Sequence, residues 1–155
     1  MKVKGIDLLI EAARLLPAIQ FTVIGPDSAV VFPLMPPLNM KFYPRIKRDD
    51  LLSFYRQARV YCQPSRHEGL SNALSEAMLC ECIPVATDVG GNPTAVGHTG
   101  FLVPADNVEA LTGAIQKALA ADQAYGMEAR ARIVALFPKE KRETELLHRI
   151  GGSRK

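Results

Sequence analysis

The chain has 155 residues, of which 48% are hydrophobic and 23% charged, a size and balance typical of one globular domain. This composition excludes a disordered tail, a collagen-like fibre and a coiled coil. No apolar run approaches the roughly 20 residues that cross a bilayer, and the first residues lack a signal-peptide stretch. We therefore expect a cytoplasmic protein whose membrane contact is at most peripheral, at the inner face.

The net charge of +3 comes from one end of the chain. Residues 139–155 contain six basic and three acidic side chains, so the charges of residues 1–138 balance. A nucleic-acid-binding protein usually carries a basic stripe along its fold, often with aromatic residues. The pattern therefore argues against a nucleic acid partner and favours a solvated terminal helix.

The cysteines do not indicate a disulfide framework, because there are three and two of them, Cys80 and Cys82, are only two residues apart. This Cys-x-Cys pair has no second pair, and the three histidines are not spaced as metal ligands. We therefore expect no metal site. Buried, reduced thiols in a reducing compartment are the favoured interpretation.

The hydrophobic pattern alternates between helical and strand periodicity. In chain order it predicts a helix over 6–16, a strand over 20–24, a proline-rich loop over 26–39, a strand over 40–43, a helix capped by Asp49 or Asp50 and running to about Arg59, a strand over 60–63, a helix over 72–81, strands over 83–87 and 101–103, and helices over 107–120, 122–136 and 139–150.

Strands that alternate with helices predict a parallel sheet joined by helical crossovers. The fold class is therefore α/β, a Rossmann-like open parallel sheet with helices on both faces. We expect one domain over residues 1–138, followed by a C-terminal helix and basic tail over 139–155. Ligands of such sheets bind beyond the carboxyl ends of the strands.

The densest polar and glycine-rich segment, residues 64–76, follows the third predicted strand. Gly69 permits a sharp backbone turn, and Ser71 or Asn72 can cap the next helix. The first N–H groups of a helix lack intrahelical partners, and together with the helix dipole they suit a phosphate or diphosphate.

Two carboxylates, Glu68 and Glu76, bracket this segment. A carboxylate repels a phosphate but suits sugar hydroxyls, which donate hydrogen bonds to it. A ligand with an anionic centre and hydroxylated ends, a nucleotide-diphosphate sugar, satisfies both features. Taken alone, however, two glutamates at this spacing are more often solvated or dipole-compensating residues.

The blocks around these glutamates are more specific than the pair itself. Glu68 and Glu76 make a Glu-x7-Glu motif, accompanied by Pro64-Ser65, Glu68-Gly69, Glu76-Ala77-Met78, Pro84 to Gly91, Thr99 to Pro104 and, upstream, Lys4-Gly5-Ile6-Asp7-Leu8-Leu9. In order and spacing, and over nearly the whole chain, they resemble the family-4 retaining glycosyltransferases.

The resemblance implies a fold and an activity. Enzymes of that family have two Rossmann-like domains facing across a cleft, and this chain resembles the C-terminal, donor-binding one. It would be the donor-binding half of an enzyme that moves a sugar from a nucleotide-diphosphate sugar to an acceptor with retention of configuration, in polysaccharide or glycolipid synthesis. The family is generally metal-independent, so no cofactor is expected, and the nucleotide sugar is a substrate.

The resemblance also implies residue roles. Glu68 is the expected catalytic residue, in contact with the donor sugar and its developing charge, and Glu76 would bind the ribose hydroxyls. The other expected donor-binding groups are the N–H groups of Gly69, Leu70 and Ser71 and the ammonium of Lys4 at the diphosphate, the backbone of Arg45 and Ile46 at the nucleobase, and Gly91 at the sugar.

The chain departs from the family pattern at its start and at Thr94, where the family often has an acidic residue. Family domains begin with a central strand and an Arg upstream of the block that here begins at Lys4. We therefore expect a sheet that lacks its first central strand, and an N-terminal acceptor domain that is missing or supplied by a partner chain. Residues 139–155 would cross to that domain, and the isolated chain would be inactive.

Two other interpretations stay open at this point. The first is a non-catalytic remnant or association subunit that retains the nucleotide-sugar-binding fold, which the absent strand and Thr94 favour. The second is a sugar-nucleotide epimerase, which shares the two-domain architecture but has different motifs. The intact segment from Glu68 to Glu76 favours the transferase.

Overall fold

The computed structural model describes residues 2–26 and 28–138. Its helices are α1 (Ile6–Leu15), α2 (Ser28–Val31), α3 (Arg48–Gln57), α4 (Asn72–Leu79), α5 (Asn92–Val96), α6 (Val108–Ala120) and α7 (Ala124–Leu136), with 3-10 turns at Lys2–Lys4 and Phe32–Leu34; its strands are β1 (Phe21–Ile24), β2 (Met40–Tyr43), β3 (Val60–Gln63), β4 (Ile83–Thr87) and β5 (Phe101–Val103). The predicted helix over 139–150 and the tail lie outside the described residues. No helix within the described ranges is long and apolar enough to cross a bilayer.

All strand pairings are parallel, as the alternation of strands and helices predicts. β1 pairs with β2, with Phe21 opposite Met40. β4 lies between β3 and β5, with Val85 opposite both Cys62 and Phe101. The predicted α/β class and Rossmann-like parallel arrangement are confirmed.

The strands form two separate sheets rather than one. Among residues 2–26 and 28–138, the second edge of β1 and the second edge of β3 have no strand partner. In the strand order of a dinucleotide-binding fold these two edges flank the first strand. This division matches the expectation that the first central strand is absent from the sheet.

Helices cover both faces of the three-stranded sheet. On one face, α1 and α6 enclose a core that includes Ile10, Ile83 and Val85 and extends to Phe21 of β1. On the other face, α4, α5 and α7 pack around Ala86 of β4. β4 contributes to both cores because successive side chains of a strand point to opposite faces, and all five of its residues are buried.

The segment 26–39 is not the continuous loop predicted from its four prolines. It contains α2 and a 3-10 turn, and the guanidinium of Arg14 donates hydrogen bonds of 2.8 Å to the carbonyls of Leu34 and Met35. Proline is compatible with the first turn of a helix because its missing N–H has no intrahelical acceptor there. The short helix α5 carries Pro93 near its start. It was not predicted, because a proline in the first turn of a helix resembles a loop proline in the sequence.

Several helix ends differ from the prediction by one or two residues, and two of these differences have a clear physical cause. α3 begins at Arg48, so Asp49 and Asp50 lie in its first turn and do not cap it; in that position their charges complement the helix dipole. α4 ends at Leu79 rather than at residue 81, because Glu81 adopts a φ of +66° that ends the right-handed helix.

Candidate active site

Buried hydrogen bonds hold the start of the loop between β3 and α4 against β4. Ser65 is fully buried, and its carbonyl and that of Gln63 accept hydrogen bonds from the hydroxyl of Thr87. These contacts join the carboxyl ends of β3 and β4, which is the edge of the sheet where the sequence places the ligand site.

Arg66 ties the same loop to two other segments. Its backbone N–H donates to the carbonyl of Val3 at 2.8 Å. Its guanidinium bonds both carboxylate oxygens of Asp7 on α1, at 2.9 and 2.8 Å, and Asp106 at 2.6 Å. The hydrogen bond from Arg66 lowers the pKa of Asp7, and those two carboxylates raise the pKa of Arg66.

Glu68 accepts hydrogen bonds from three side chains. Lys4 Nζ lies 2.8 Å from Oε2 and 3.1 Å from Oε1. Oε2 also accepts from Gln63 Nε2 at 2.8 Å and from Ser65 Oγ at 3.0 Å. The glutamate side chain is 11% exposed and that of Lys4 57%, so the carboxylate is held beneath an accessible ammonium.

Within the part of the chain that the structure describes, Glu76 has one ion pair. It lies in the second turn of α4, and its Oε1 is 2.9 Å from Arg48 Nη2, at the start of α3. The Arg48 side chain is 76% exposed and that of Glu76 is 22% exposed. An ion pair so open to water is easily exchanged, which leaves Glu76 available to another donor.

The N-terminus of α4 presents free backbone donors. Ser71 is its N-cap: its hydroxyl accepts a 3.3 Å hydrogen bond from the Leu74 N–H. Within the described ranges, the N–H groups of Gly69, Leu70 and Ser71 have no hydrogen-bond acceptor. Gly69 and Leu70 are exposed, so these donors and the positive end of the helix dipole can meet an anion.

Gly90 and Gly91 allow the next loop to pack against this one. Gly90 has a φ of +54°, and a Cβ there would lie 1.6 Å from the carbonyl oxygen of Glu68. A Cβ on Gly91 would lie 2.9 Å from the Gly69 oxygen, which accepts a 3.2 Å bond from the Gly91 N–H. The glycines therefore support the Glu68–Leu70 backbone; a contact between Gly91 and a sugar stays a prediction.

Arg45 borders a cavity of about 450 Å³ at the carboxyl ends of β1 and β2. Its walls include Gly25 and the rings of Phe32, Phe42 and Tyr43. Ile46, predicted beside Arg45 at the nucleobase, is half-buried and does not line it. An aromatic cavity of this size suits a planar heterocycle, because bases stack on aromatic rings.

Residues 2–26 and 28–138 contain no group of three or more His, Cys, Asp or Glu side chains that could hold a metal ion. Burial raises the pKa of Cys62 to about 12 and that of Cys82 to about 12, so both remain thiols at neutral pH. Of the predicted buried thiols, only Cys82 is fully buried, and Cys62 and Cys80 are partly exposed.

Sequence reasoning missed three residues that hold the two glutamates: Gln63, Ser65 and Arg48. The available signal was a glutamine at the end of an apolar strand, directly before Pro64-Ser65, since a buried polar side chain requires hydrogen-bond partners. Arg48 carried no comparable signal, because its contact depends on how α3 packs beside α4.

Residues 1–135 match the sequence profile of the family described as "Glycosyl transferases group 1". The chain belongs to the group 1 glycosyltransferases. The predicted family membership is thereby confirmed.

Relatives of this group 1 chain agree with the match. It is 34% identical over 158 residues to a D-inositol 3-phosphate glycosyltransferase of Mycolicibacterium vanbaalenii, covering 86% of this chain and 35% of the relative. Its structure matches a sucrose-phosphate synthase from Thermosynechococcus elongatus with a TM-score of 0.84 and 28% identity, covering 99% of this chain and 44% of that one.

A second solved structure is similar to this chain in its fold alone, because the sequence identity is low. The C-terminal domain of a group 1 glycosyl transferase (LpcC) from Francisella tularensis matches with a TM-score of 0.67 at 20% identity, covering 88% of this chain and 79% of that one. The group 1 chain spans 15%, 32% and 35% of the length of three curated relatives.

Proposed function

We propose that this chain is the donor-binding part of a retaining glycosyltransferase that uses a nucleotide-diphosphate sugar. The observation that carries the proposal is the placement of two carboxylates, Glu68 and Glu76, on either side of free N–H groups at the start of α4. Glu76 accepts hydrogen bonds from the ribose, the N–H groups of Gly69, Leu70 and Ser71 bind the diphosphate, and Glu68 contacts the transferred sugar. The cavity beside Arg45 takes the nucleobase.

The charges at the site support this assignment. Transfer breaks the bond between the anomeric carbon and the diphosphate, so positive charge develops on the sugar and negative charge on the leaving group. In this assignment Glu68 stabilises the positive charge on the sugar, whereas Lys4 and the helix N-terminus stabilise the negative charge on the leaving group. The ammonium of Lys4, 2.8 Å from Glu68 and 57% exposed, links the two regions.

The role of Glu76 is tested by calorimetric titration of Glu76→Ala with UDP-glucose, GDP-mannose and inorganic pyrophosphate. We expect affinity for whichever nucleotide sugar binds the wild type to fall by about tenfold or more, because a hydrogen bond to a charged group is lost. Pyrophosphate affinity should be unchanged. The exposed Glu128 on α7 provides the matched control Glu128→Ala, which should bind like wild type.

Equal losses of nucleotide sugar and pyrophosphate affinity in Glu76→Ala would contradict the ribose role. If the wild type bound neither UDP-glucose nor GDP-mannose, the proposed function itself would be contradicted.

The second candidate function is that of a non-catalytic association subunit. It is favoured by the two edges of β1 and β3 that have no strand partner among residues 2–26 and 28–138. Unpaired strand edges are templates for pairing with another chain. We expect the 155-residue chain alone to bind donor without transferring sugar to an acceptor. Sugar transfer by the purified chain would overturn that expectation. If the chain formed a stable complex with another chain, measured by light scattering after size exclusion, but bound no nucleotide sugar, the association role would be favoured.

A further inference from the structure

Gln63 is a buried polar side chain at the end of the apolar strand β3, and its amide is fully hydrogen-bonded. It is 6% exposed. Its Nε2 donates to Glu68 Oε2 and to Ser65 Oγ, both at 2.8 Å. Its Oε1 accepts from the hydroxyl of Tyr61 at 2.8 Å and from that of Ser71 at 3.4 Å. Both N–H groups and both lone pairs of the amide are therefore used.

The orientation of the Gln63 amide follows from its neighbour. An ionised carboxylate only accepts hydrogen bonds, so the NH2 group, not the carbonyl, must face Glu68. The carbonyl then faces two hydroxyls, which can donate. One side chain thus connects the N-cap of α4 to the carboxylate of Glu68.

The two oxygens of Glu68 are unequally occupied as a result. Among the described residues, Oε2 has three donors around it, from Lys4, Gln63 and Ser65, whereas Oε1 has one, the Lys4 ammonium, at 3.1 Å. An ionised carboxylate has about two acceptor sites on each oxygen. Oε2 is therefore saturated, and Oε1 has capacity for another donor.

We propose that Gln63 is a positioning residue, whose amide occupies Oε2 of Glu68 so that Oε1 is the oxygen that accepts from a hydroxyl of the donor sugar. This inference rests on the proposed function for the sugar contact of Glu68. It assigns to Gln63 more than packing, because a leucine or methionine would fill the space without the requirement for four hydrogen-bond partners.

The substitution Gln63→Glu tests this contact through protonation. A glutamic acid at position 63 can donate to Oε2 only when it is protonated; when it is ionised, two carboxylates repel each other at hydrogen-bond distance. Such a pair shares a proton, and its upper pKa rises above the ordinary value of about 4.3. Within the described residues, two other charged or titratable side chains contact this pair: Lys4 bonds Glu68, and Tyr61 bonds the side chain at position 63. Burial raises the pKa of Tyr61, so its hydroxyl remains a donor.

Affinities of the wild type and of Gln63→Glu for UDP-glucose and GDP-mannose are to be measured by calorimetry from pH 8 to pH 5. We expect Gln63→Glu to bind about tenfold more weakly than wild type at pH 8 and to recover to within about twofold at pH 5, since protonation restores the donor. The exposed Gln116 gives the control Gln116→Glu, whose affinity relative to wild type should not vary with pH. A constant ratio for Gln63→Glu would overturn the proposal.

A second readout needs no ligand. The side-chain carboxyl carbon of Glu68, assigned with Glu68→Gln, is followed by NMR as the pH changes. In Gln63→Glu its titration midpoint should rise by at least about one pH unit relative to wild type. An unchanged midpoint for Glu68 would overturn the proposal. If the wild type bound neither nucleotide sugar, the proposed function would be contradicted, but the midpoint would still decide whether residue 63 bonds Glu68.

The apolar variant Gln63→Met separates positioning from folding. It keeps the side-chain length but cannot donate to Glu68. We expect its affinity for the nucleotide sugar to fall by about threefold to tenfold, while its affinity for the free nucleoside diphosphate stays that of wild type. Equal losses for both ligands would indicate a merely structural role and overturn the proposal.

Discussion

At the scale of single residues, the two motif glutamates are held in different ways. Glu68 is enclosed by three donor side chains and is 11% exposed, whereas Glu76 has one ionic partner, the largely exposed Arg48. An enclosed carboxylate keeps one geometry, and an exposed ion pair exchanges readily. Glu68 is therefore suited to fixed contact with a reacting sugar, and Glu76 to a contact that forms when the nucleotide enters.

The Arg48–Glu76 pair leads to a prediction for Arg48→Gln. Removing the guanidinium frees Oε1 of Glu76, so nucleotide-sugar affinity should rise by about twofold to fivefold near 0.01 M salt, the range expected for an exposed ion pair. The gain should shrink near 0.5 M salt, where such pairs are screened. Calorimetry at both salt concentrations measures it, with the exposed Arg56 of the same helix as the control Arg56→Gln. Weaker binding by Arg48→Gln would mean that the guanidinium itself contacts the ligand.

At the scale of elements, α4 and the loop before it form one unit. Ser71 caps the helix and also donates to Gln63. Arg66 fixes the loop to α1 through Asp7. The loop that carries the N–H groups proposed to bind a diphosphate is thus in contact with β3 and α1 as well as with the helix that follows it.

The N-caps of α4 and α6 allow a matched comparison. Ser71→Ala and Asn107→Ala each remove a side-chain cap, and each should lower the free energy of unfolding by about 1 kcal/mol, measured by urea denaturation. Only Ser71→Ala should weaken nucleotide-diphosphate binding, because only α4 begins at the candidate site. Similar donor affinities in the two variants would contradict the placement of the diphosphate there.

At the scale of the whole molecule, β4 joins two cores. Ile83 and Val85 pack with α1 and α6, while Ala86 packs with α4 and α7. The strand therefore connects the face that carries the Lys4–Asp7 segment to the face that carries α4. The two-stranded sheet joins the first core through Phe21 and Val23, without strand pairing to β3 in the described residues.

A cavity at β4 should thus destabilise the entire fold. Ile83 is fully buried, and Ile83→Ala should lower the free energy of unfolding by about 2–5 kcal/mol, through lost burial and the cavity left behind. The chain has no tryptophan, so urea unfolding is followed by circular dichroism. Val134 on α7 is 56% exposed, and Val134→Ala should change stability by less than about 0.5 kcal/mol. A small effect at Ile83 would mean that the sheet core is loosely packed.

Local sequence signals predicted most elements and the position of the candidate site. The strands ending at Ile24 and Gln63 are followed by Gly25-Pro26 and Pro64, which stop a strand, and the order of strands and helices is sufficient for a parallel sheet. The 3-10 turn at Phe32–Leu34 and the helix α5 were not predicted because a proline in the first turn of a helix resembles a loop proline. The motif around Glu68 and Glu76 identified the loop and the helix that the structure places at the carboxyl end of β3.

The sequence by itself determined the fold class, the succession of strands and helices along the chain and which loop carries the two glutamates, because periodicity, turn residues and motif spacing are local properties of a sequence. Only the tertiary structure decided the partners of these carboxylates. Lys4 lies 64 positions from Glu68, and Arg48 comes from a different helix than Glu76. Contacts across such separations depend on the packing of whole elements, which no local pattern encodes.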